Sequence, residues 1–110
     1  RREVLSMHVS ESLEEYLVQL IVATRKPEKY DASLRDKILF GASPRATIAL
    51  DKCAKINAWL DGRDFVTPED IHAVIYDVLR HRIILSFEAQ ADGLTTDDII
   101  ASLLKTVPLP

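Results

Sequence analysis

The stretch GASPRATIALDKCAKINAWLDGRDFVTPEDI, residues 41–71, carries the end signals of two helices and decides the fold class. Pro44 suits the first position of a helix, and Gly62 suits the left-handed residue that follows a last turn. Thr67 is then a helix cap, with Asp70 three residues later in a variant of the capping box. The stretch therefore predicts two successive helices, over residues 44–60 and 68–80.

A third helix is predicted before this stretch. In VSESLEEYLVQLIVATR, residues 9–25, apolar side chains recur every three or four positions, which is typical of an amphipathic helix. Ser10 or Ser12 can cap this helix, and Ser12 would form a capping box with Glu15. We expect the helix over residues 11–25.

The rest of the chain predicts one more main helix and several short pieces. Thr95 with Asp98 repeats the capping arrangement before a helix over residues 96–105. SFEAQADG, residues 86–93, fits one or two helical turns, and KILF, residues 37–40, fits a short extended piece. No segment shows a convincing alternation of apolar and polar residues. We therefore predict an all-α domain over residues 1–110, a small helical bundle of about four main helices with short irregular connections.

The helix over residues 44–60 is predicted to bury one apolar face and to carry a second. Cys53 lies on the first face and is interpreted as a small core residue. Trp59 lies on the second face, where we expect a core or a domain-contact role. The first face consists of Ala46, Ala49, Leu50, Cys53, Asn57 and Leu60, and the second of Ile48, Ile56 and Trp59.

Composition argues against several classes of function. The 110 residues carry a net charge of −3, unlike the basic excess of a dedicated nucleic-acid binder. No apolar stretch approaches the ~18 residues of a membrane span, and the lone cysteine fits a reducing compartment, so we expect a cytoplasmic protein. His8, His72 and His81 share no ligand spacing with one another or with Cys53, so no metal site is predicted.

Catalysis by this chain alone is not expected either. The three glycines, Gly41, Gly62 and Gly93, lie too far apart for a phosphate-cradling loop or a dinucleotide fingerprint. The paired carboxylates fall in the first turns of predicted helices, where they interact favourably with the helix dipole. We predict that the isolated chain is not an enzyme.

Arg45 occupies a position that local structure does not explain. A helix start carries partial positive charge and free N–H groups, so a cation there is disfavoured. A bound phosphate would reverse this, because the free N–H groups and the planar guanidinium would both donate to it. Spacing alone leaves two other interpretations open: Arg45 is solvated, or it pairs with a carboxylate of another helix.

Several linked motifs occur in a fixed order: GASPRA at 41–46, GRDFVTPEDI at 62–71, VLRHRIILS at 78–86 and VPLP at 107–110. Together they resemble the C-terminal lid of MoxR-family AAA+ ATPases. The segment at 9–25 is similar to the family's first lid helix, and residues 26–40 match least well. The resemblance implies a helical bundle packed beside an α/β nucleotide-binding domain that lies upstream and is absent from this sequence.

The resemblance also implies a role for Arg45 as the sensor-2 arginine, which contacts the γ-phosphate of ATP and reports its loss through lid movement. Ser43 and Ala46, beside it, are implied to face the nucleotide. ATP and Mg²⁺ are the implied cofactors of the full-length ATP hydrolase, whereas the fragment alone is expected to bind none. Some relatives use this arginine on the neighbouring subunit's nucleotide, and we favour that arrangement.

The partners implied by the resemblance are the upstream domain of the same chain, neighbouring subunits in a hexameric ring, and a client with a von Willebrand factor A domain. MoxR-type ATPases act as chaperones that mature or activate such clients. Arg25, Arg80 and Arg82 lie in family-like motifs and are candidate contacts with the core or a neighbouring subunit. For Arg80 and Arg82, a solvated helix end is an equal alternative.

A function of a different class stays open beside the lid. The chain would then be a free-standing helical interaction module without a nucleotide role, and Arg45 an ordinary ion-pair residue. The sequence begins with Arg1 and lacks an initiator Met, which we expect of a fragment.

Overall fold

The computed structural model describes residues 7–110 and consists of helices with one small sheet. The predicted all-α bundle is confirmed. Within residues 7–110, every helix falls short of the length and apolar character that a bilayer-crossing segment needs. The helices are α1 (Glu11–Arg25), α2 (Arg45–Leu60), α3 (Pro68–Leu79), α4 (Phe87–Ala91) and α5 (Thr96–Thr106). The strands are β1 (Ile38–Phe40) and β2 (Ile84–Leu85), and two 3₁₀ turns span Pro27–Lys29 and Ala32–Leu34.

Helices α1 and α2 run antiparallel, because contacts join them at both ends. The N–H of Ala42, just before α2, donates to Oγ1 of Thr24 near the end of α1 at 2.9 Å. At the other end, the N–H of His8 donates to the carbonyl of Asp64 at 3.1 Å, and the N–H of Val66 donates to the carbonyl of His8 at 3.0 Å. The start of α2 therefore lies at the opposite end of the bundle from the segment that enters α1.

The buried face of α2 is built from small side chains. Ala46, Leu50, Ala54 and Ala58 recur every fourth position and are each at most 1% exposed. Such a row lets a neighbouring helix approach closely, and α3 is the main helix packed against α2. The close approach of α3 therefore decides which face of α2 is buried, rather than the positions of the largest apolar residues of α2.

This arrangement corrects part of the predicted face of α2. Leu60 is 73% exposed, because α2 ends there beyond the core, and Ala54 and Ala58 are buried instead. Cys53 is half-buried and packs against the core, as predicted. Trp59 is 46% exposed, so a core role is wrong for it, while a domain contact stays a prediction.

The start of α1 resolves the choice between its two candidate caps. Ser10 is the cap, and its Oγ accepts from the N–H of Leu13 at 3.2 Å. Ser12 lies inside the first turn, so its predicted capping box with Glu15 is wrong. The capping boxes predicted at Thr67 and at Thr95 are both present.

The end of α2 has the predicted left-handed glycine. Gly62 has a φ of 76°, and its N–H donates to the carbonyl of Trp59 at 3.0 Å. The N–H of Arg63 donates to the carbonyl of Ala58, also at 3.0 Å. These two bonds form a Schellman motif, which satisfies the last carbonyls of the helix. The chain can then turn directly into the loop before α3.

The sheet consists of two antiparallel strands near the start of α2. Ile38 pairs with Leu85 and Phe40 pairs with Ile84, so Leu39 is an extra residue that forms a bulge in β1. The extended piece predicted at 37–40 and the helical turns predicted at 86–93 are confirmed as β1 and α4. Strand β2 was not predicted, because a strand of two residues leaves no alternation to detect.

Candidate functional site

Arg45 is the first residue of α2, and its side chain is exposed. Pro44 occupies the cap position with helical backbone angles, so Arg45 stands one position earlier than predicted. The N–H groups of Ala46 and Thr47 donate to the carbonyls of Ser43 and Pro44, at 2.9 and 3.1 Å. Among the hydrogen bonds of residues 7–110, none uses the N–H of Arg45. One backbone donor and one guanidinium are thus available at this helix start.

The other two residues predicted beside the nucleotide lie in the same turn but differ in exposure. Ser43 is exposed next to Arg45, whereas Ala46 is fully buried against the core. Ala46 therefore anchors the first turn of α2, and its side chain does not face solvent. The structure brings Ser43 and Arg45 together on the outer side of this turn.

The turn that presents Arg45 is held by a buried hydroxyl. Thr24 is 0% exposed, donates to the carbonyl of Ile21 at 2.6 Å and accepts from the N–H of Ala42 at 2.9 Å. A guanidinium nitrogen of Arg25 also donates to the carbonyl of Ala42 at 3.4 Å. Because Ala42 precedes Arg45 by only three residues, these bonds fix the start of α2 relative to the end of α1.

Close backbone contact also fixes the position of this turn against α1. A Cβ on Gly41 would lie 2.4 Å from the carbonyl oxygen of Thr24 and 2.8 Å from the nitrogen of Arg25. Both contacts are with backbone of α1, which cannot move aside as a flexible side chain can. The absence of a side chain at Gly41 therefore permits the close approach that places the turn.

Within residues 7–110, the surroundings of Arg45 leave its charge without a paired carboxylate. No carboxylate within residues 7–110 lies at ion-pair distance from its guanidinium. Of the two alternatives left open by the sequence, pairing with a carboxylate of another helix is thus not observed in this part of the chain. An exposed cation beside a free N–H can accept an anion such as a phosphate oxygen.

The three other predicted arginines have different surroundings. Arg25 lies beside the turn that carries Arg45, through its bond to Ala42. Arg80 binds Asp97 with two nitrogens, at 2.9 and 3.1 Å, and so joins the end of α3 to the start of α5. The hydrogen bond from Arg80 lowers the pKa of the Asp97 carboxyl. Arg82 is exposed and donates to the carbonyl of Val78 at 2.8 Å.

Sequence reasoning missed a buried ion pair at the opposite end of the bundle. Asp70 is 0% exposed, and Arg63 donates to its two oxygens at 2.6 and 2.7 Å. Asn57 donates to the same carboxylate at 2.8 Å, as does the N–H of Thr67. The available signals were a lone asparagine on an apolar face and an arginine between two helices. This cluster positions the loop that joins α2 to α3.

The pKa of Asp70 reflects these contacts. Burial alone would raise the pKa of the carboxyl. Hydrogen bonds from Arg63, Thr67 and Asn57 outweigh burial and hold the pKa well below its ordinary value of 3.8. Asp70 therefore stays ionised at neutral pH and serves the fold rather than proton transfer.

The donor set of this chain fits one side of a phosphate and nothing more of a nucleotide site. Within residues 7–110, no three His, Cys, Asp or Glu side chains are grouped to hold a metal ion. With its three glycines far apart, the chain also lacks a loop that could cradle the other phosphates. The described part of the chain thus offers one guanidinium and one free N–H as anion donors at this helix start.

Comparisons with known proteins find relatives that are longer than this chain. The chaperone MoxR1 of Mycobacterium tuberculosis is 42% identical over 103 residues, which cover 93% of this chain and 27% of that protein. The protein MoxR of Methylorubrum extorquens is 42% identical over 64% of this chain and 21% of its own length. The chain thus spans between about a fifth and a third of the length of the curated relatives it matches.

A solved structure also has the same fold as this chain. A candidate ATPase of Cytophaga hutchinsonii, solved as a crystal structure, superposes with a TM-score of 0.95 and 45% sequence identity. The match covers 99% of this chain and 33% of that one. Residues 32–103 match the AAA lid domain family. The chain therefore belongs to the AAA lid domain family, as the lid of a MoxR-family AAA+ ATPase.

Proposed function

We propose that this lid supplies Arg45 to the γ-phosphate of ATP bound by the nucleotide-binding domain of a MoxR-type ATPase. The observation that carries the proposal is an exposed guanidinium without a carboxylate partner in residues 7–110, at a helix start with a free N–H. Its positive charge would neutralise charge on the transferring phosphoryl group. Ser43 lies next to it and is the second candidate contact with the nucleotide.

The rigid mounting of Arg45 supports a role in sensing as well as in binding. The turn is fixed to α1 by the Thr24 hydroxyl and by the close contact at Gly41. A displacement of the Arg45 guanidinium would therefore also displace the end of α1. Loss of the γ-phosphate would release Arg45 and let the lid move as one body, which couples hydrolysis to shape change.

The complete protein is then an ATP hydrolase with Mg²⁺ as its metal, both bound mainly by the upstream domain. We infer a cytoplasmic, hexameric ring that acts as a chaperone in maturing or activating client proteins. A client with a von Willebrand factor A domain is the expected partner. Arg25 and Arg82 are proposed to contact the core or a neighbouring subunit. Arg80 is proposed to do so as well, although its guanidinium also binds Asp97 and Asp77.

The test of the proposal is the ATP turnover of the complete protein that contains this chain. Arg45→Ala should lower the turnover number by about 10²-fold or more, as loss of one transition-state donor does. Arg45→Lys keeps the charge but not the planar fork, so part of the activity should return. Arg35→Ala is the matched control, because Arg35 is exposed and forms no ion pair within residues 7–110.

The control should keep full turnover, and all variants should keep the melting temperature of the parent. Full turnover in Arg45→Ala would reject the sensor role of Arg45. A fall in turnover that is equal in Arg35→Ala would show a general effect of charge rather than a contact with phosphate.

A mixing experiment decides whose nucleotide Arg45 serves. We propose that Arg45 acts on the neighbouring subunit, so Arg45→Ala subunits should be rescued by subunits that cannot bind ATP. In such a mixed ring, an intact Arg45 from one subunit meets an intact nucleotide site on the next. Action within a subunit predicts no recovery at any mixing ratio.

A further inference from the structure

A groove with an apolar floor and an acidic rim runs between α1 and α2. One part of it, about 330 Å³, is lined by residues of both helices, among them Val18 and Ile48. It continues into a second hollow of about 430 Å³ on α1, which shares Glu14 and Val18 with the first. We call this surface the α1–α2 groove and define it by Glu11, Glu14, Glu15, Val18, Ile48 and Asp51.

The floor of the groove is apolar and open to solvent. Val18 is 49% exposed and Ile48 is 65% exposed, and Val22, one turn further along α1, is 42% exposed. A β-branched side chain of this kind is stiff, so its surface is pre-formed for contact. Adjacent exposed apolar side chains from two helices indicate a binding surface more strongly than single ones do.

The rim of the groove is negative on the α1 side, whereas Lys55 lines it beside Asp51 on the α2 side. Within residues 7–110, no cation pairs with Glu11, Glu14 or Glu15. Among the acidic residues of the groove, only Asp51 forms an ion pair within residues 7–110, with Lys55 at 3.0 Å. The dipole of α1 accounts for carboxylates in its first turn, but it does not account for the exposed apolar floor beside them.

We propose that the α1–α2 groove binds a basic amphipathic helix of a partner protein. Apolar side chains on one face of such a helix would contact Val18 and Ile48, and flanking Lys or Arg would pair with the three glutamates. Charge complementarity selects this partner over nucleic acid, which the glutamates repel. The proposal concerns binding alone and holds whether or not Arg45 contacts a nucleotide.

The probe is a fluorescein-labelled peptide of about 18 residues, with leucine at helical spacing and lysine at the other positions. Fluorescence anisotropy measures its binding to the complete protein that contains this chain. A peptide with glutamate in place of lysine and one with the leucines scattered serve as controls. Tight binding should need both the leucine stripe and the lysines, and should weaken as salt rises.

Two substitutions separate groove binding from general ionic attraction. Ile48→Asp and Leu60→Asp each add one negative charge to α2 at an exposed apolar residue, about 18 Å apart along the helix. Ionic attraction alone would strengthen binding in both. The groove predicts instead a loss of about tenfold or more in Ile48→Asp and a change within about twofold in Leu60→Asp.

Equal or tighter binding by Ile48→Asp would overturn the proposal, as would equal loss in both variants. Val18→Asp, on the α1 side of the groove, should give the same loss. It replaces Ile48→Asp if circular dichroism shows that variant to be unfolded. Absence of peptide binding to the parent protein would also overturn the proposal.

Discussion

Replacing Gly41 by alanine should destabilise the chain more than any other glycine substitution. The added Cβ would lie 2.4 and 2.6 Å from the carbonyl oxygen and carbon of Thr24, about 1 Å inside ordinary contact. Overpacking of a tight site costs about 1–3 kcal/mol, and the upper end applies because the crowded atoms are backbone. Separation of the two segments also weakens the bond from Ala42 to Thr24, worth about 1 kcal/mol. We expect a total of about 3–4 kcal/mol.

Urea unfolding of the 110-residue chain measures this loss, and Gly62→Ala is the matched control. Gly62 has a φ of 76° with no atom within 4 Å of an added Cβ, so its substitution incurs only the strain of a left-handed alanine, about 1–2 kcal/mol. Gly41→Ala should therefore unfold at clearly lower urea than Gly62→Ala. If it is as stable as the control, the close contact between the turn and α1 does not exist as described.

Two further predictions concern buried polar groups. Thr24→Val should lower the free energy of unfolding by about 1–3 kcal/mol, because the N–H of Ala42 loses its partner. Thr24→Ser keeps a hydroxyl and should lose less. Equal stability of Thr24→Val and the parent in urea would contradict this prediction. Asp70→Asn should cost about 2–3 kcal/mol at pH 7, since it removes charge from the bond to Arg63. The folded-state pKa of Asp70 is depressed, so its stabilisation is present above the unfolded value of 3.8 and is lost as the pH falls further. Urea midpoints of the parent should therefore fall below about pH 4, and those of Asp70→Asn should fall less; parallel curves would refute the assignment.

Local signals in the sequence account for most of the helix ends. Thr67 and Thr95 cap their helices as predicted, and Gly62 ends α2, because each signal acts within four or five residues. The choice of Ser10 over Ser12 was not determined in this way, since both hydroxyls precede suitable positions. Secondary structure built from short-range bonds is thus readable from the sequence.

Contacts between distant residues were not predictable in the same way. Periodicity placed Leu60 on the buried face of α2, but close packing against α3 selected the row of alanines instead. The pairing of β1 with β2 joins segments more than forty residues apart and rests on only a few residues. Neither segment has enough apolar alternation to reveal its partner.

In the candidate site, too, the local position was predictable from the sequence and the long-range contacts were not. The position of Arg45 at a helix start followed from Pro44 and from the periodicity after it. The contacts that hold this helix start in place could not be predicted from the sequence. The hydroxyl of Thr24 and the N–H of Ala42 lie 18 positions apart, and their hydrogen bond depends on the packing of α1 against α2. The burial of Ala46 also depends on that packing, although the family resemblance implied a nucleotide contact for it.

The most direct test of the central claim is a crystal structure of the complete protein with Mg²⁺ and a non-hydrolysable ATP analogue. We expect the guanidinium of Arg45 to lie at about 2.7–3.2 Å from an oxygen of the γ-phosphate, with the turn still bound to Thr24. A γ-phosphate contacted by other groups, with Arg45 pointing into solvent or paired with a carboxylate, would contradict the account.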